Sequence, residues 1–149
     1  MSTQEKINSE LKEAMKAGEE ARLSLLRGII AAIHNQEIQK RTSGKTDSLS
    51  EEEVIQVLQK EAKKRKEAAE LFRSGKREDL AAKEEKEFQM IQVYLPAQMG
   101  KEEIKVIVDR LYEAGNKEFN ALIKATMAEV KGKAGGQEVS AVIKEKLGQ

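Results

Sequence analysis

Two glutamates spaced three residues apart, Glu84 and Glu87, have the type and spacing that acid–base chemistry uses, because a pair of carboxyl groups can give and take a proton. The chain has a single histidine, His34, and no cysteine, so a thiolate nucleophile and the usual zinc sites are excluded. No nucleophile or ligand set accompanies the two glutamates. Pairing with arginines is therefore the favoured role for them, and a packed or half-exposed side chain is favoured for His34 over a catalytic base. We predict no catalytic residue, no metal and no cofactor.

A basic cluster between residues 60 and 77 is the second group of residues that could have a chemical role. Basic side chains outnumber acidic ones in this segment, whereas the formal net charge of the whole chain is only +1. Lysines along a helix bind nucleic acid by displacing counterions from phosphates. The alternative is an ordinary solvated surface, since consecutive basic residues spread around a helix. The candidate RNA-binding residues are Lys60, Lys63, Lys64, Lys66, Arg77 and Lys133.

A glycine-rich segment, residues 132–136, precedes the last predicted helix and contains Lys133. The free N–H groups at a helix start can bind phosphate. The segment lacks the fingerprint of a nucleotide-binding loop, and a turn between two helices is the simpler interpretation.

Helical periodicity of apolar residues predicts the elements that hold these groups. Ser2 with Glu5 has the form of a capping box, and Ser50 precedes three glutamates that suit a helix start. Four helices are expected before Pro96, the only proline, with a loop at residues 41–49. Three shorter amphipathic segments follow Pro96. We predict an all-α fold with an N-terminal bundle of about four helices in residues 1–96 and a three-helix tail in residues 97–149.

Several charged residues lie on the apolar faces of their predicted helices. An unpaired buried charge is costly, so such residues on neighbouring helices should pair with one another. We predict an ionic seam within the bundle, formed by Arg27, Glu37, Arg65, Glu84 and Glu87.

No apolar run approaches the roughly 20 residues that span a bilayer, and no signal-peptide pattern begins the chain. We therefore expect a cytoplasmic protein with no membrane partner, and the net charge gives no reason to expect DNA. Phe72, Phe88 and Phe119 all lie on predicted core faces, so an RNA contact should use phosphates rather than base stacking.

A set of residues along the chain matches the pattern of a known family. They are Leu26-Arg27, Asn35, Glu37, Glu52 to Val54, Lys60, Lys63, Arg65, Glu67-Ala68, Phe72, Arg77, Asp79-Leu80, Glu84, Glu87, Tyr94-Leu95-Pro96 and Gln98, followed by Gly132-Lys133-Ala134 and Gly136 in a glycine-rich turn. On these residues the chain resembles the YqeY-like proteins of the GatB/YqeY family, over about residues 11–147. The segment from Lys60 to Gln98 is the specific part of the match, and Asn120 stands where the family pattern has glycine.

That family is similar to the C-terminal helical and tail region of the GatB component of the tRNA-dependent glutamyl/aspartyl-tRNA amidotransferase. The resemblance implies association with tRNA, with an amidotransferase or with another tRNA-processing complex. The amidotransferase of this family association is a glutamine-dependent carbon–nitrogen ligase. It does not imply catalysis by this chain, because the glutaminase and kinase-like centres of that complex lie in other domains. An autonomous carbon–nitrogen ligase would need an ATP site and an ammonia source, and neither is found in this sequence. We therefore expect a tRNA- or RNA-associated accessory protein. The alternative is a helical protein-interaction module without an RNA role, and the oligomeric state is left open.

Overall fold

The computed structural model describes residues 1–45 and 48–149. The described residues form α-helices and no strand, so the predicted all-α class is confirmed. The helices are α1 (Thr3–Ala17), α2 (Glu20–Thr42), α3 (Glu51–Ser74), α4 (Glu78–Gln92), α5 (Lys101–Glu113), α6 (Phe119–Val130) and α7 (Gly136–Leu147).

The chain divides into two compact units, Met1–Tyr94 and Leu95–Gln149. The first unit contains α1 to α4 and the second contains α5 to α7. The boundary after residue 96 that the sequence indicates stays a prediction, which limited proteolysis would test.

Capping boxes begin two helices of the first unit, α1 and α3. The Ser2 hydroxyl accepts a hydrogen bond from the Glu5 N–H, and the Glu5 carboxylate accepts one from the Ser2 N–H. Ser50 and Glu53 repeat this arrangement at the start of α3. Each box satisfies two backbone donors that a helix start would otherwise leave unpaired.

The core of the first unit lies where α3 packs against α1, α2 and α4. Its helices contribute large side chains that are almost fully buried, among them Ile7, Leu26, Ile29, Ile33, Leu58 and Ile91. The outer part of the α3–α4 hairpin is thinner, because Ala69 and Ala81 are its only buried residues between residues 66 and 86.

The turn between α3 and α4 has the hydrogen bonds of a Schellman motif. The Arg77 N–H donates to the Phe72 carbonyl at 2.8 Å and the Lys76 N–H donates to the Arg73 carbonyl at 3.1 Å. Lys76, rather than Gly75, takes the left-handed conformation, with φ of 60°. A residue with a Cβ therefore occupies the position at which helices most often place glycine.

The predicted boundaries of α2 and α4 shift in the structure. α2 continues to Thr42, so the predicted loop begins two residues later than expected. Leu49 in this loop is buried, and the prediction for residues 46 and 47 lies outside the described residues. α4 ends at Gln92, so Tyr94 and Leu95 lie beyond the helix. Pro96 disfavours helical geometry at Leu95, the residue directly before it.

The second unit packs α5, α6 and α7 around a separate apolar core. Its central side chains, all almost fully buried, are Ile104, Val108, Leu122, Val130, Val139 and Ile143. In the described part of the chain, none of the helices is both long enough and apolar enough to cross a membrane.

Candidate nucleic-acid interface and ionic cluster

Three lysines share one solvent-facing side of α3. At 100° per residue, Lys60, Lys63 and Lys64 lie within about 100° of one another, opposite the face that is buried. Lys60 and Lys64 are exposed and Lys63 is half-buried. Lys66 is exposed as well, but it lies outside this arc. The term "α3 lysine face" is used below for Lys60, Lys63 and Lys64.

Local glutamates neutralise part of the α3 lysine face. Lys63 Nζ lies 3.9 Å from a carboxylate oxygen of Glu67, which stands on the same side of the helix. Lys64 Nζ lies 3.3 Å from a carboxylate oxygen of Glu61. Lys60 forms no ion pair with any residue that the structure describes. The positive charge available to a phosphate is therefore smaller than the sequence suggests.

The two remaining candidate RNA-binding residues are not part of the α3 lysine face. Arg77 is exposed in the turn before α4, with its Nε 3.5 Å from Asp79, and α3 covers about 21 Å between Lys60 and Ser74 at 1.5 Å per residue. Lys133 is exposed in the second unit. Within the first unit, Arg77 is therefore separated from the α3 lysine face along the helix axis.

Arg65 forms the centre of an ionic cluster between three helices. Its Nη1 lies 2.6 Å from Glu61 Oε2 on the same helix, and its Nε lies 3.6 Å from Glu87 Oε2 on α4. A Cβ placed on Gly28 of α2 would lie 3.9 Å from Arg65 Nη2. The side chain of Arg65 is only 19% exposed. Arg65 and Glu87, two members of the predicted seam, are therefore adjacent.

The other three residues of the predicted seam lie elsewhere. Arg27 is exposed, because the buried side of α2 is centred on Leu26 and Ile29 rather than on the broader apolar face that the sequence shows. Glu37 is half-buried, and it lies 3.6 Å from His34 and accepts a hydrogen bond from Gln4. Glu84 is half-buried and forms no ion pair with a described residue.

Sequence reasoning missed Glu61, the main partner of Arg65. Glu61 is 9% exposed and touches both Arg65 and Lys64. A signal was present, because a glutamate four residues before an arginine is the favoured order for a helical ion pair.

A second network, which joins the segment after α4 to α1, was also missed. The Tyr94 hydroxyl donates to the Glu10 carboxylate, and Arg22 of α2 lies 3.2 Å from the same carboxylate. Burial, followed by the hydrogen bond to Glu10, raises the pKa of Tyr94 to about 12. No spacing rule connects these residues, because their contact depends on how the helices pack.

The possible acid–base groups do not form a catalytic arrangement. His34 has a side chain that is 64% exposed, beside Glu37, and Glu87 is engaged with Arg65. Among the described residues, no group of three or more acidic or histidine side chains is placed to hold a metal ion.

The glycine-rich segment forms the turn between α6 and α7, and one of its carbonyls accepts a hydrogen bond from outside the segment. The Met99 N–H donates to the Lys133 carbonyl at 2.7 Å. A Cβ on Gly135 would collide with a carboxylate oxygen of Glu138, so this carboxylate lies over the start of α7. A negative charge at that place would repel a phosphate, and the turn interpretation is favoured.

Relatives of this chain are found in fungi. A Saccharomyces cerevisiae protein named "Altered inheritance of mitochondria protein 41, mitochondrial" is 29% identical over 143 residues, covering 96% of this chain and 67% of the relative. A Vanderwaltozyma polyspora protein of the same name is 32% identical over 60% of this chain and 46% of its own length. A Schizosaccharomyces pombe protein, "Uncharacterized protein C22F3.15", is 33% identical over 60% of this chain and 69% of its own length.

These names correct one prediction. The expected cytoplasmic location is wrong, because the relative that covers 96% of the chain is named as a mitochondrial protein. The absence of an apolar segment was not sufficient evidence for a compartment.

The family assignment rests on a match over nearly the whole sequence. The family model described as "Yqey-like protein" matches residues 4–147, a range that includes α1 to α7 except for the first residue of α1. The chain therefore belongs to the YqeY-like protein family.

Proposed function

We propose that this chain is a tRNA- or RNA-associated accessory protein, related to the tail of the GatB component of the amidotransferase and without a catalytic centre of its own. The observation that carries the proposal is the α3 lysine face, which lies opposite the buried side of a well-anchored helix. A rigid row of lysines can contact successive phosphates without paying for the ordering of a loop.

The proposed contacts are to phosphates and to the shape of the RNA. Every aromatic residue is half-buried, and the hydroxyl of Tyr94 is engaged with Glu10. Base stacking needs an exposed ring face. Weak sequence preference is therefore expected, and binding should depend strongly on salt.

The test is a titration of the full chain with unmodified tRNA at about 50 mM and about 200 mM salt, concentrations chosen for the assay. Lys63→Ala combined with Lys64→Ala should weaken binding and lower the slope of log K against log salt by roughly 0.7–0.9 for each contact that is lost. The matched control is Lys105→Ala with Lys124→Ala, two exposed lysines of the second unit, which changes net charge equally and should leave binding unchanged.

A variant of opposite sign sharpens this test. Glu67 lies 3.9 Å from Lys63, so Glu67→Gln removes a negative charge from the middle of the α3 lysine face. It should strengthen tRNA binding at low salt. If the test and control double variants had equal effects, or if Glu67→Gln weakened binding, the α3 lysine face would not be the surface that contacts tRNA.

The partner complex is part of the same proposal. An amidotransferase or another tRNA-processing enzyme is expected among the molecules that co-purify with the tagged chain. If tRNA shows no saturable binding at the lower salt concentration, the proposal fails and a helical protein-interaction module remains.

A further inference from the structure

We propose that α2 is the contact helix of a symmetric, antiparallel dimer of this chain. The contact surface, called the α2 seam below, follows one side of the helix at alternating spacings of four and three residues. Its members are Leu23, Arg27, Ile30, His34, Glu37 and Arg41. At 100° per residue they lie within about 80° of one another, and each of them is exposed or half-buried.

α2 carries apolar side chains on two sides. The inner side supplies Leu26 and Ile29 to the core, and both are at most 1% exposed. On the outer side, Leu23 and Ile30 are half-buried, and Ile38 beside the α2 seam is 47% exposed. A helix that only covers a core shows one apolar stripe. A second stripe with spacings of four and three residues is the pattern of a helix that packs against another helix.

The α2 seam has the same spacings when it is read from either end. Two copies can therefore lie antiparallel about a two-fold axis beside Ala32. Arg27 of each copy then lies opposite Glu37 of the other, and Ile30 lies opposite His34. Each contact occurs twice, as a two-fold symmetric interface requires. A parallel pair would place arginine against arginine, and like charges across an interface oppose association.

The two charges that meet in the antiparallel pair are available within one copy. Arg27 is exposed and forms no ion pair with any residue in the described part of the chain. Glu37 is half-buried, beside His34 at 3.6 Å and Gln4 at 3.4 Å. No lysine or arginine of the described residues forms an ion pair with Glu37. The second copy would supply an opposite charge to both residues.

The ends of the α2 seam are complementary as well. A shallow depression of about 360 Å³ is lined by Glu20, Leu23, Ser24 and Arg27, and the antiparallel pair places Arg41 of the second copy opposite Leu23. The methylene groups of Arg41 can cover Leu23 while its guanidinium reaches Glu20, one turn away. Glu20 and Arg41 are both exposed, and neither forms an ion pair within the residues that the structure describes.

These charges select one register and one kind of partner. A shift of one heptad in either direction removes both contacts between Arg27 and Glu37, and one of the two shifts brings Glu20 towards Glu37 of the second copy. An acidic helix of another protein is disfavoured, because these two glutamates lie among the arginines. The α2 seam covers about 27 Å of helix axis. The inference does not rest on the RNA proposal, because it uses no residue of the α3 lysine face.

Sedimentation equilibrium of the full chain tests the dimer, at protein concentrations from about 1 μM to about 1 mM. The average mass should rise with concentration from that of one chain towards that of two. Arg27→Glu should weaken dimerisation at least about tenfold, because two attractions become repulsions. The side chain of Arg27 is exposed, so this variant should keep the fold, which circular dichroism checks.

An exchange of charge between two variants tests the register. Arg27→Glu and Glu37→Arg should each dimerise poorly alone. Mixed in equal amounts they should associate, because each position 27 again faces a position 37 of opposite charge. A fluorescent label at the N-terminus of one variant follows the mixed species in sedimentation velocity.

Matched controls separate the α2 seam from general effects of charge and apolarity. Lys124→Glu changes the charge as Arg27→Glu does, at an exposed residue of the second unit, and it should dimerise as the wild type does. Ile30→Ser should weaken dimerisation. Leu71→Ser should not, although Leu71 of α3 is 73% exposed.

Three results would overturn the inference. They are a single-chain mass at all concentrations, equal dimerisation of wild type and Arg27→Glu, or two folded charge variants that do not associate when they are mixed. If Glu37→Arg does not fold, Arg27→Glu and Ile30→Ser still decide the outcome. The tRNA titration does not bear on any of these results.

Discussion

Arg65→Ala should destabilise the first unit far more than Lys63→Ala, which lies two residues away on the same helix. Breaking a buried pair by removing one partner costs roughly 3–5 kcal/mol. The side chain of Arg65 is 19% exposed. After Arg65→Ala, Glu61 still has an ion-pair partner, because Lys64 Nζ lies 3.3 Å from its carboxylate. Only Glu87, 25% exposed, loses its cation. We therefore expect a loss of about 2 kcal/mol, below the range for a fully buried pair.

For Lys63→Ala we expect a loss of about 0.5 kcal/mol or less, because its side chain is 40% exposed and its distance to Glu67 is 3.9 Å. Urea unfolding, followed by circular dichroism, measures both variants, and hydrogen exchange in α3 and α4 assigns the transition to the first unit. Glu87→Gln should cost more than Glu84→Gln, since only Glu87 touches Arg65. Equal losses for Arg65→Ala and Lys63→Ala would refute the cluster.

Two further changes test local features. Lys76→Gly should stabilise the α3–α4 hairpin by about 0.5–1 kcal/mol, because the strain of a Cβ in the left-handed conformation exceeds the extra chain entropy that glycine loses on folding. Thermal unfolding measures this gain. The control Gly75→Ala, at a position with φ of −84°, should not destabilise the hairpin. In a Tyr112→Phe background, absorbance of the phenolate should show Tyr94 ionising near pH 12 rather than 10. Because the folded state favours the neutral phenol of Tyr94, the stabilisation of the fold by this group is complete below about pH 10 and is lost as the pH approaches 12. Glu10→Gln should lower the pH at which Tyr94 ionises. An unchanged ionisation midpoint in this variant would count against the hydrogen bond to Glu10.

The helices and their caps could be predicted because they depend on short spacings. Ser2 with Glu5, and the acidic residues after Ser50, bring their own partners within one turn. The contact of Tyr94 with Glu10 could not be predicted in this way, since 84 residues separate them. It depends on how α1, α2 and α4 pack, and no local pattern encodes that arrangement. The cellular compartment could not be predicted either, because the amino-acid composition does not determine the compartment of a protein.

The contrast between Arg27 and Arg65 shows what helical periodicity leaves out. Both arginines lie near apolar residues of their helices, and periodicity alone assigns both to the core. Arg65 has Glu61 one turn before it, so the helix supplies a counter-charge before any tertiary contact forms. Arg27 has Leu23 and Ala31 at the equivalent positions, and nothing local offsets the cost of burying it. The helix therefore turns Arg27 outward, and the apolar residues beside it, Leu23 and Ile30, stay partly exposed with it.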